Sequence, residues 1–500
     1  MRSLWLDTHP VRSSADVLTP GARYDTVVAG AGLTGLTTAV LLARAGHQVA
    51  VVEARSVGAV ATGNTTAKVS LLQGTNLSNI RSHHSDEVLQ AYVEANREGQ
   101  AWLLRHLEDN GISYQRRTSL IYANGKQGIS SLEKELDAAQ AAGLNAVWTE
   151  TTELPHPVAG AVALADQAQF HPTELLDALL VELRERGGTV FEGVRVTGAQ
   201  TDDDSDFPVR VQTTSGDLLA DQLVLATGAP VLDRGGYFAK LKGHRSYAMA
   251  FRVPQDQDIP MGMYLSVDSP SRSTRTADIN GEQLLLVGGN GHVVGRTSDH
   301  QGAVDDLRTW TTAHFPGAEL THSWSAQDYR PADYVPFFGK LPRGGGHIYL
   351  ATGYNKWGMT NGVAAALAIS SEILGGHMPW AQVLTERSAT VSGVLTGVKD
   401  NLTIGARMAG DWASAELHSL PDEAPEEGQG VVGRVHGKPV GVSTVDGTTR
   451  KVSAICPHMG GVLNWNDAEC SWDCPLHASR FAADGTLLEG PAVSNLETAE

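Results

Sequence analysis

Five hundred residues with 54 glycines and an ordinary share of apolar and charged side chains leave room for two to four domains around a large core. A formal charge of −18 and a pI near 5.4 argue against nucleic acid or an anionic membrane as partner. No apolar run approaches the roughly 18 residues a membrane helix needs, and the opening MRSLWLD lacks the apolar centre of a secretory signal, so a cytoplasmic location is expected.

Residues 1–23 are mixed and Pro-containing, an ordered lead-in rather than a domain. From Tyr24 the pattern sharpens: the β-branched run Thr26 to Ala29 suits a strand buried on both faces, and Gly30, Gly32 and Gly35 supply G-x-G-x-x-G where it turns to helix. The first glycine permits the turn, the second lets backbone approach a pyrophosphate, and the third lets helix pack on strand. Gln48 to Val52 predicts a second strand, closed by Glu53, whose carboxylate can accept from ribose hydroxyls. Leu33, Thr34 and Ala54 flank these positions and belong to the same expected dinucleotide site. The loop Gly58 to Ser70 is rich in hydroxyl and amide groups, and Thr62, Thr65 and Thr66 are its candidate donors to a cofactor.

Helices are predicted over 85–111, with a Ser85 cap, over 132–142, and over 172–186. His83 and His84 read as a solvated flank rather than a metal pair. Strands follow at 190–196, 209–214 and 218–226, the last running into Thr227-Gly228-Ala229-Pro230, where Gly228 is a candidate cofactor contact. Segments 245–253, 262–268, 272–277 and 283–289 form a strand-rich block, expected to be a mainly antiparallel sheet distinct from the nucleotide layer. Ile348 to Thr352 is again a buried-type strand; Gly353 then opens a turn into a helix, with Trp357, Gly358, Met359 and Thr360 at its start. The free N–H groups of such a helix end can face an electron-rich ring oxygen; tight helix–sheet packing is the alternative reading of the small residues.

Residues 391–427 read as a linker ending in the acidic DEAPEE, and 428–500 as a compact, turn-rich β unit with twelve acidic against five basic residues from 421 onward. All three cysteines fall in one 19-residue window. Cys456-Pro-His458, 15 residues, then Cys474-Pro-Leu-His477 offers two loops, each with one thiolate and one imidazole. That set suits a Rieske [2Fe–2S] centre, one iron on the cysteines and the other on the histidines. A structural zinc is the alternative, though C-x-H is unusual spacing for it. Cys470 is needed by neither set.

The chain resembles the glycine-oxidase and D-amino-acid-oxidase-like FAD flavoproteins, in a bacterial subgroup with a C-terminal Rieske domain. The resemblance rests on GAGLTG, TGNTTAK, QAQFHP, WSAQD, ATGYNKWGMTNG and WDCPLHASRF and covers nearly the whole chain. It implies an α/β, Rossmann-like FAD-binding part (24–80, 150–235 and 335–376) with an antiparallel substrate sheet at about 240–335, together spanning 1–390. A small all-β Rieske domain follows. It also implies FAD on Gly30, Gly32, Gly35 and Glu53, the 358–362 turn near the flavin's pyrimidine side, and the sheet as roof over the flavin. The chain departs from high-potential Rieske proteins in holding Gly461 and Leu476 where those carry a disulfide, so no such clamp can form; Ser479 keeps a hydroxyl for a cluster sulfur. The D-x2-H-x3–4-H iron site of Rieske oxygenases is absent from the sequence, which disfavours ring hydroxylation.

These features point to an oxidoreductase acting on a small amine or amino-acid-like C–N substrate. The flavin takes two electrons and releases them singly to the cluster, with a one-electron partner protein beyond. An electron-transfer protein without its own organic substrate, or a redox sensor, is the alternative. Arg245, Tyr247, Tyr264, Arg275, His292, Lys356 and Trp357 are candidates near the substrate. Tyr247 and Arg275 are the favoured catalytic pair, arginine clamping a carboxylate and tyrosine closing over an amine.

Overall fold

The computed structural model describes residues 1–202, 204–387, 412, 420 and 423–499. Its first layer is an eight-stranded sheet whose five parallel strands run in the order Ile348–Thr352, Leu218–Leu225, Arg23–Ala29, Val49–Val52 and Thr189–Phe191. Such strands must be apolar on both faces. Val28, Val51, Val224 and Tyr349 pack against the helices, while Val27, Ala50, Leu223 and Leu350 pack under the hairpin Val196–Thr201 and Val209–Thr213. Arg23–Ala29 lies where the strand order reverses, which opens a crevice beyond the carboxyl ends of the strands. The glycines hold that corner together: a Cβ on Gly35 would lie 1.9 Å from Gly30 O, and one on Gly30 2.5 Å from Ala226 O.

The second layer is nine-stranded and mainly antiparallel, with Leu241–Arg252 between Glu319–Pro331 and Glu282–Val293, then Arg272–Ile279 and Met263–Ser266. The expected strand block is all here. The sheet also recruits Lys68–Val69, Tyr114–Ala123 and Gly160–Phe170, the second joined in parallel to Met263–Ser266. Period-2 alternation divides its faces. Tyr247, Met249, Phe251 and Leu285 pack under helix His300–His314, while Ala248, Ala250 and Leu286 face the lead-in's Leu4 and Trp5. The lead-in is ordered as expected, Trp5 Nε1 donating to Thr65 O at 2.6 Å.

The expected long helix runs Asp86–Asp109 from a Ser85 cap, and the others are Ile129–Ala141 and Pro172–Glu185. One expected strand is corrected: 190–196 is two short strands, Thr189–Phe191 and Val196–Thr201, because Gly193 turns the chain at φ +71°. The 391–427 linker lies mostly outside the described residues. The C-terminal unit is all β, with a meander Gly430–Val435, Lys438–Val445 and Thr448–Ser453 and a four-stranded sheet Asn464–Asn466, Ser471–Asp473, Arg480–Ala482 and Leu487–Glu489. Trp472, Phe481, Leu463 and Leu487 form its core. Among the described residues no helix is long and apolar enough to cross a membrane.

Candidate functional site

A cavity of about 370 Å³ lies between the two layers. Fourteen residues expected to touch a cofactor border it: Gly30, Gly32, Leu33, Thr34, Glu53, Ala54, Thr62, Thr65, Thr66, Gly228, Gly353, Trp357, Gly358 and Met359. Gly35 and Thr360 do not. Gly35 is spent on helix–strand packing, and Thr360 turns away to donate to Asn96 Oδ1 at 2.5 Å.

The donor set suits a dinucleotide. Helix Leu33–Arg44 starts at Gly32 with no side-chain cap, which leaves first-turn N–H groups for an anion, while Thr62 Oγ1 accepts from Leu33 N at 3.1 Å. Glu53 accepts from Ala31 N and Arg55 N, each at 2.8 Å, so both oxygens are oriented and each keeps a lone pair for a hydroxyl. Burial raises its carboxyl, and those two backbone bonds oppose the rise.

Across the cavity, helix Gly358–Ile373 likewise lacks a side-chain cap. Its approach is held in the left-handed region at Asn355 (φ +47°) and Lys356 (φ +71°), where non-glycine residues need support. Asp328 accepts from Lys356 N, and Asn355 Nδ2 donates to Asn76 Oδ1 at 2.9 Å. Behind the turn, Asn361 donates to Tyr92 OH at 3.0 Å, and Tyr92 donates to Gln73. Gln73, Asn76 and Asn96 were missed in the sequence; Asn96 sits four residues after Tyr92 on the apolar stripe of its helix, a visible signal.

Of the expected catalytic pair, Arg275 is corrected. It does not line the cavity: it is 1% exposed, its guanidinium lies 5.1 Å from the Trp5 ring, and its bonds go to Ala67 O and Phe170 O. Tyr247 borders the cavity, but its ring belongs to the cluster under helix His300–His314 and stacks on His292 at 5.6 Å. Tyr264 turns its hydroxyl to Glu153. Lys356 and Trp357 do line the cavity. So does Lys68, which the sequence did not single out: its Nζ donates to Tyr264 O at 2.9 Å and to Ser273 Oγ. Burial, then the charge of Arg275, pushes its amine down to about 7.

In the C-terminal unit two similar loops face each other. Gly460 N donates to Cys456 O at 2.9 Å and Ala478 N to Cys474 O at 3.1 Å, with Gly460 and Ala478 both at positive φ. The thiols of Cys456 and Cys474 are hydrogen-bonded, which eases loss of the Cys456 proton (to about 7) and holds back that of Cys474. The rings of His458 and His477 stand 5.1 Å apart. Among the described residues His477 Nδ1 is buried without a partner, and burial lowers its ring to about 4, the neutral form a ligand needs. Two thiols paired on one side and two imidazoles on the other suit two irons. Ser479 hydrogen-bonds the Cys456 sulfur, and Leu476 lies where a Cβ on Gly461 would meet it at 2.7 Å, filling the place of a clamp. Cys470 sits apart, in the turn before Ser471–Asp473.

The two sites share a wall. Leu488, Glu489 and Gly490 of the C-terminal unit border the cavity. Gln327 Nε2 donates to Ala478 O at 2.8 Å, Tyr329 OH to Gly490 O at 3.1 Å, and Arg296 Nε to Pro475 O at 3.0 Å. Arg245, a substrate candidate in the sequence, instead reaches across to Glu469 and Glu489, which Arg480 also binds, at 2.9 Å each. From the sheet side Phe238 packs edge-on against His458 and His477, and Asp233 lies 3.2 Å from His458 Nε2.

Residues 25–371 match the family model for FAD dependent oxidoreductases (DAO), and residues 418–500 that for the Rieske [2Fe-2S] domain, which displaces the zinc alternative. The chain is 29% identical over 483 residues to YhfW of Bacillus subtilis (strain 168), named as a Rieske 2Fe-2S iron-sulfur protein, covering 95% of this chain and 92% of that one. Among solved structures it is similar to glycine oxidase from Geobacillus kaustophilus (TM-score 0.61, 18% identity, 73% of this chain and 100% of that one). L-proline dehydrogenase from P. horikoshii is similar too (TM-score 0.60, 17% identity, 73% and 97%).

Proposed function

Because this chain belongs to the DAO family of FAD dependent oxidoreductases and ends in a Rieske [2Fe-2S] domain, we propose that it oxidises a small amine or amino-acid-like substrate at a C–N bond. The electrons then leave singly through the iron–sulfur centre to a one-electron partner. FAD supplies the two-electron acceptor when bound, and the cluster the one-electron outlet. The observation that carries the reading is the shared wall, with Leu488–Gly490 bordering the cavity that also holds the dinucleotide residues.

In this reading the fourteen bordering residues hold the cofactor, Glu53 orienting its ribose and the uncapped helix starts at Gly32 and Trp357 facing its negative groups. The second sheet excludes water above the reacting carbon. Cys456, Cys474, His458 and His477 ligate the cluster, and the chain divides at 1–390, 391–427 and 428–500. The fold neighbours named above, an amino-acid oxidase and an amino-acid dehydrogenase, support the substrate class.

The test is anaerobic mixing with a panel of amines and amino acids, following flavin absorbance and the cluster EPR signal together. A substrate should bleach the flavin, and the EPR signal should appear on the timescale of turnover. His477→Ala should leave bleaching intact and stop transfer to an artificial one-electron acceptor. Turnover of that variant at the parent's rate would remove the cluster from the path.

A further inference from the structure

His458 and His477 stand on the two loops of the C-terminal unit, yet both rings are covered. The His458 side chain is 7% exposed and His477 is buried. What covers them belongs to the FAD part: residues 232–240, which lead from Leu218–Leu225 into Leu241–Arg252. That segment turns at Gly235 (φ +92°) and Gly236 (φ +64°), and both of its arms reach the rings. Phe238, after the turn, packs edge-on against His458 at 5.8 Å and His477 at 5.0 Å between centroids. Asp233, before the turn, brings both carboxylate oxygens to His458 Nε2, at 3.2 and 3.3 Å.

The segment is anchored away from the cluster loops. Arg234 Nη2 donates to Ala199 O at 2.6 Å and its Nη1 to Arg343 O at 3.2 Å, while Tyr237 packs on Phe337 at 5.3 Å. Asp233 is half-exposed, so burial does not force a hydrogen bond on it, and among the described residues its one ion-pair partner is His458. With Nε2 given to Asp233, the Nδ1 of His458 is left for iron. A ligand imidazole whose far N–H donates to a carboxylate is more basic toward its metal. A fixed negative charge beside a cluster also disfavours the electron that reduction adds.

We propose that Asp233 is the outer carboxylate of the iron–sulfur centre: it accepts from His458 Nε2 and holds the cluster's reduction potential down. Asp233 touches neither iron nor substrate and acts through His458 as a positioning residue. The potential of the C-terminal unit is thus in part a property of the FAD part on which it docks. Arg296, whose Nε is tied to Pro475 O, opposes the charge of Asp233 at His477. The inference rests on the ligand set proposed above and adds to it a residue 225 positions from the ligand it bonds.

The test is an EPR-monitored redox titration of the full chain carrying FAD and cluster, with flavin absorbance followed in the same run. Asp233→Asn keeps the size and loses the charge, so its cluster midpoint should rise by about 59 mV or more, tenfold in a one-electron equilibrium. Asp233→Glu should keep the midpoint near that of the parent. The flavin midpoint should stay in place in both, because Asp233 does not border the cavity. Glu94→Gln removes the same unit of charge from helix Asp86–Asp109 and should leave the cluster midpoint unmoved. An unchanged midpoint in Asp233→Asn, an equal rise in Asp233→Glu, or an equal rise in Glu94→Gln would overturn the proposal. So would loss of iron and acid-labile sulfide from Asp233→Asn, which would make the carboxylate a structural clasp. His458→Ala keeps the two failures apart, since it should lose the cluster's EPR signal. If it keeps the parent's signal and midpoint, the ligand set falls and the tuning with it. If it loses the signal while Asp233→Asn leaves the midpoint in place, only the tuning falls.

Discussion

Two pairs of buried cations have opposite surroundings: Arg245 of the second sheet with Arg480 of the C-terminal unit, and Lys68 with Arg275, both on the second sheet. Arg245 and Arg480 share Glu469 and Glu489, and Arg480 also reaches Asp473 at 3.0 Å, so every charge has an opposite within reach. Lys68 and Arg275 have carbonyls, a hydroxyl and an indole face. A saturated network holds two parts of the chain in one register, while a bare pair is costly to the fold. Charge alone does not distinguish the two. The partners do.

The saturated side should break hardest. Glu469→Gln leaves Arg245 and Arg480 short of a carboxylate and should cost about 3–5 kcal/mol, read as a lower denaturant midpoint at unchanged slope, provided unfolding stays two-state. Acid should find the same weakness. Burial alone would raise the Glu469 carboxyl, but the charges of Arg245 and Arg480 hold it well below the usual range. Its stabilisation is therefore complete above about pH 4.3 and drains as pH falls from there toward the depressed folded value. Glu469→Gln should flatten that acid limb.

The bare side should respond with the opposite sign. Lys68→Met should stabilise the protein by about 1–3 kcal/mol below pH 7, because a buried charge is replaced by an isosteric apolar chain. With its folded value lowered to about 7 against about 10.4 unfolded, Lys68 makes the unfolded state bind more protons between those limits. Stability should rise with pH across that window in the parent and stay flatter in the variant. A destabilised Lys68→Met would mean that this pair, too, is structural.

Smaller effects calibrate the contrast. Glu53→Ala should weaken FAD retention by about 1–3 kcal/mol through lost hydrogen bonds, measured as flavin released on dilution. Cys470→Ser should change neither iron content nor stability beyond about 0.5 kcal/mol.

What could be read from the sequence was what is local in it. Gly30, Gly32 and Gly35 act within six residues, and each cluster loop holds its cysteine and histidine within four, so spacing alone carried the chemistry. Arg245 and Lys68 were beyond that reach. The partner of Arg245 lies 224 positions away, and those of Lys68 lie 196 and 205 away. No periodicity marks an arginine as a bridge rather than a clamp. Tyr114–Ala123 and Gly160–Phe170 were missed as members of the second sheet for the same reason: their pairing is set by the sheet, not by their own residues.

The strand order also sets a timetable for synthesis. Arg23–Ala29 can pair with Val49–Val52 almost as soon as both leave the ribosome, but its other neighbour is Leu218–Leu225. At about 5–20 residues per second that edge waits roughly 10–40 s for a partner. Ile348–Thr352 comes later still to pair beyond Leu218–Leu225. A doubly apolar strand with one open edge is meanwhile a template for the wrong neighbour. The nascent chain thus passes through a long window in which a holding chaperone, or slower growth at low temperature, governs how much protein is recovered.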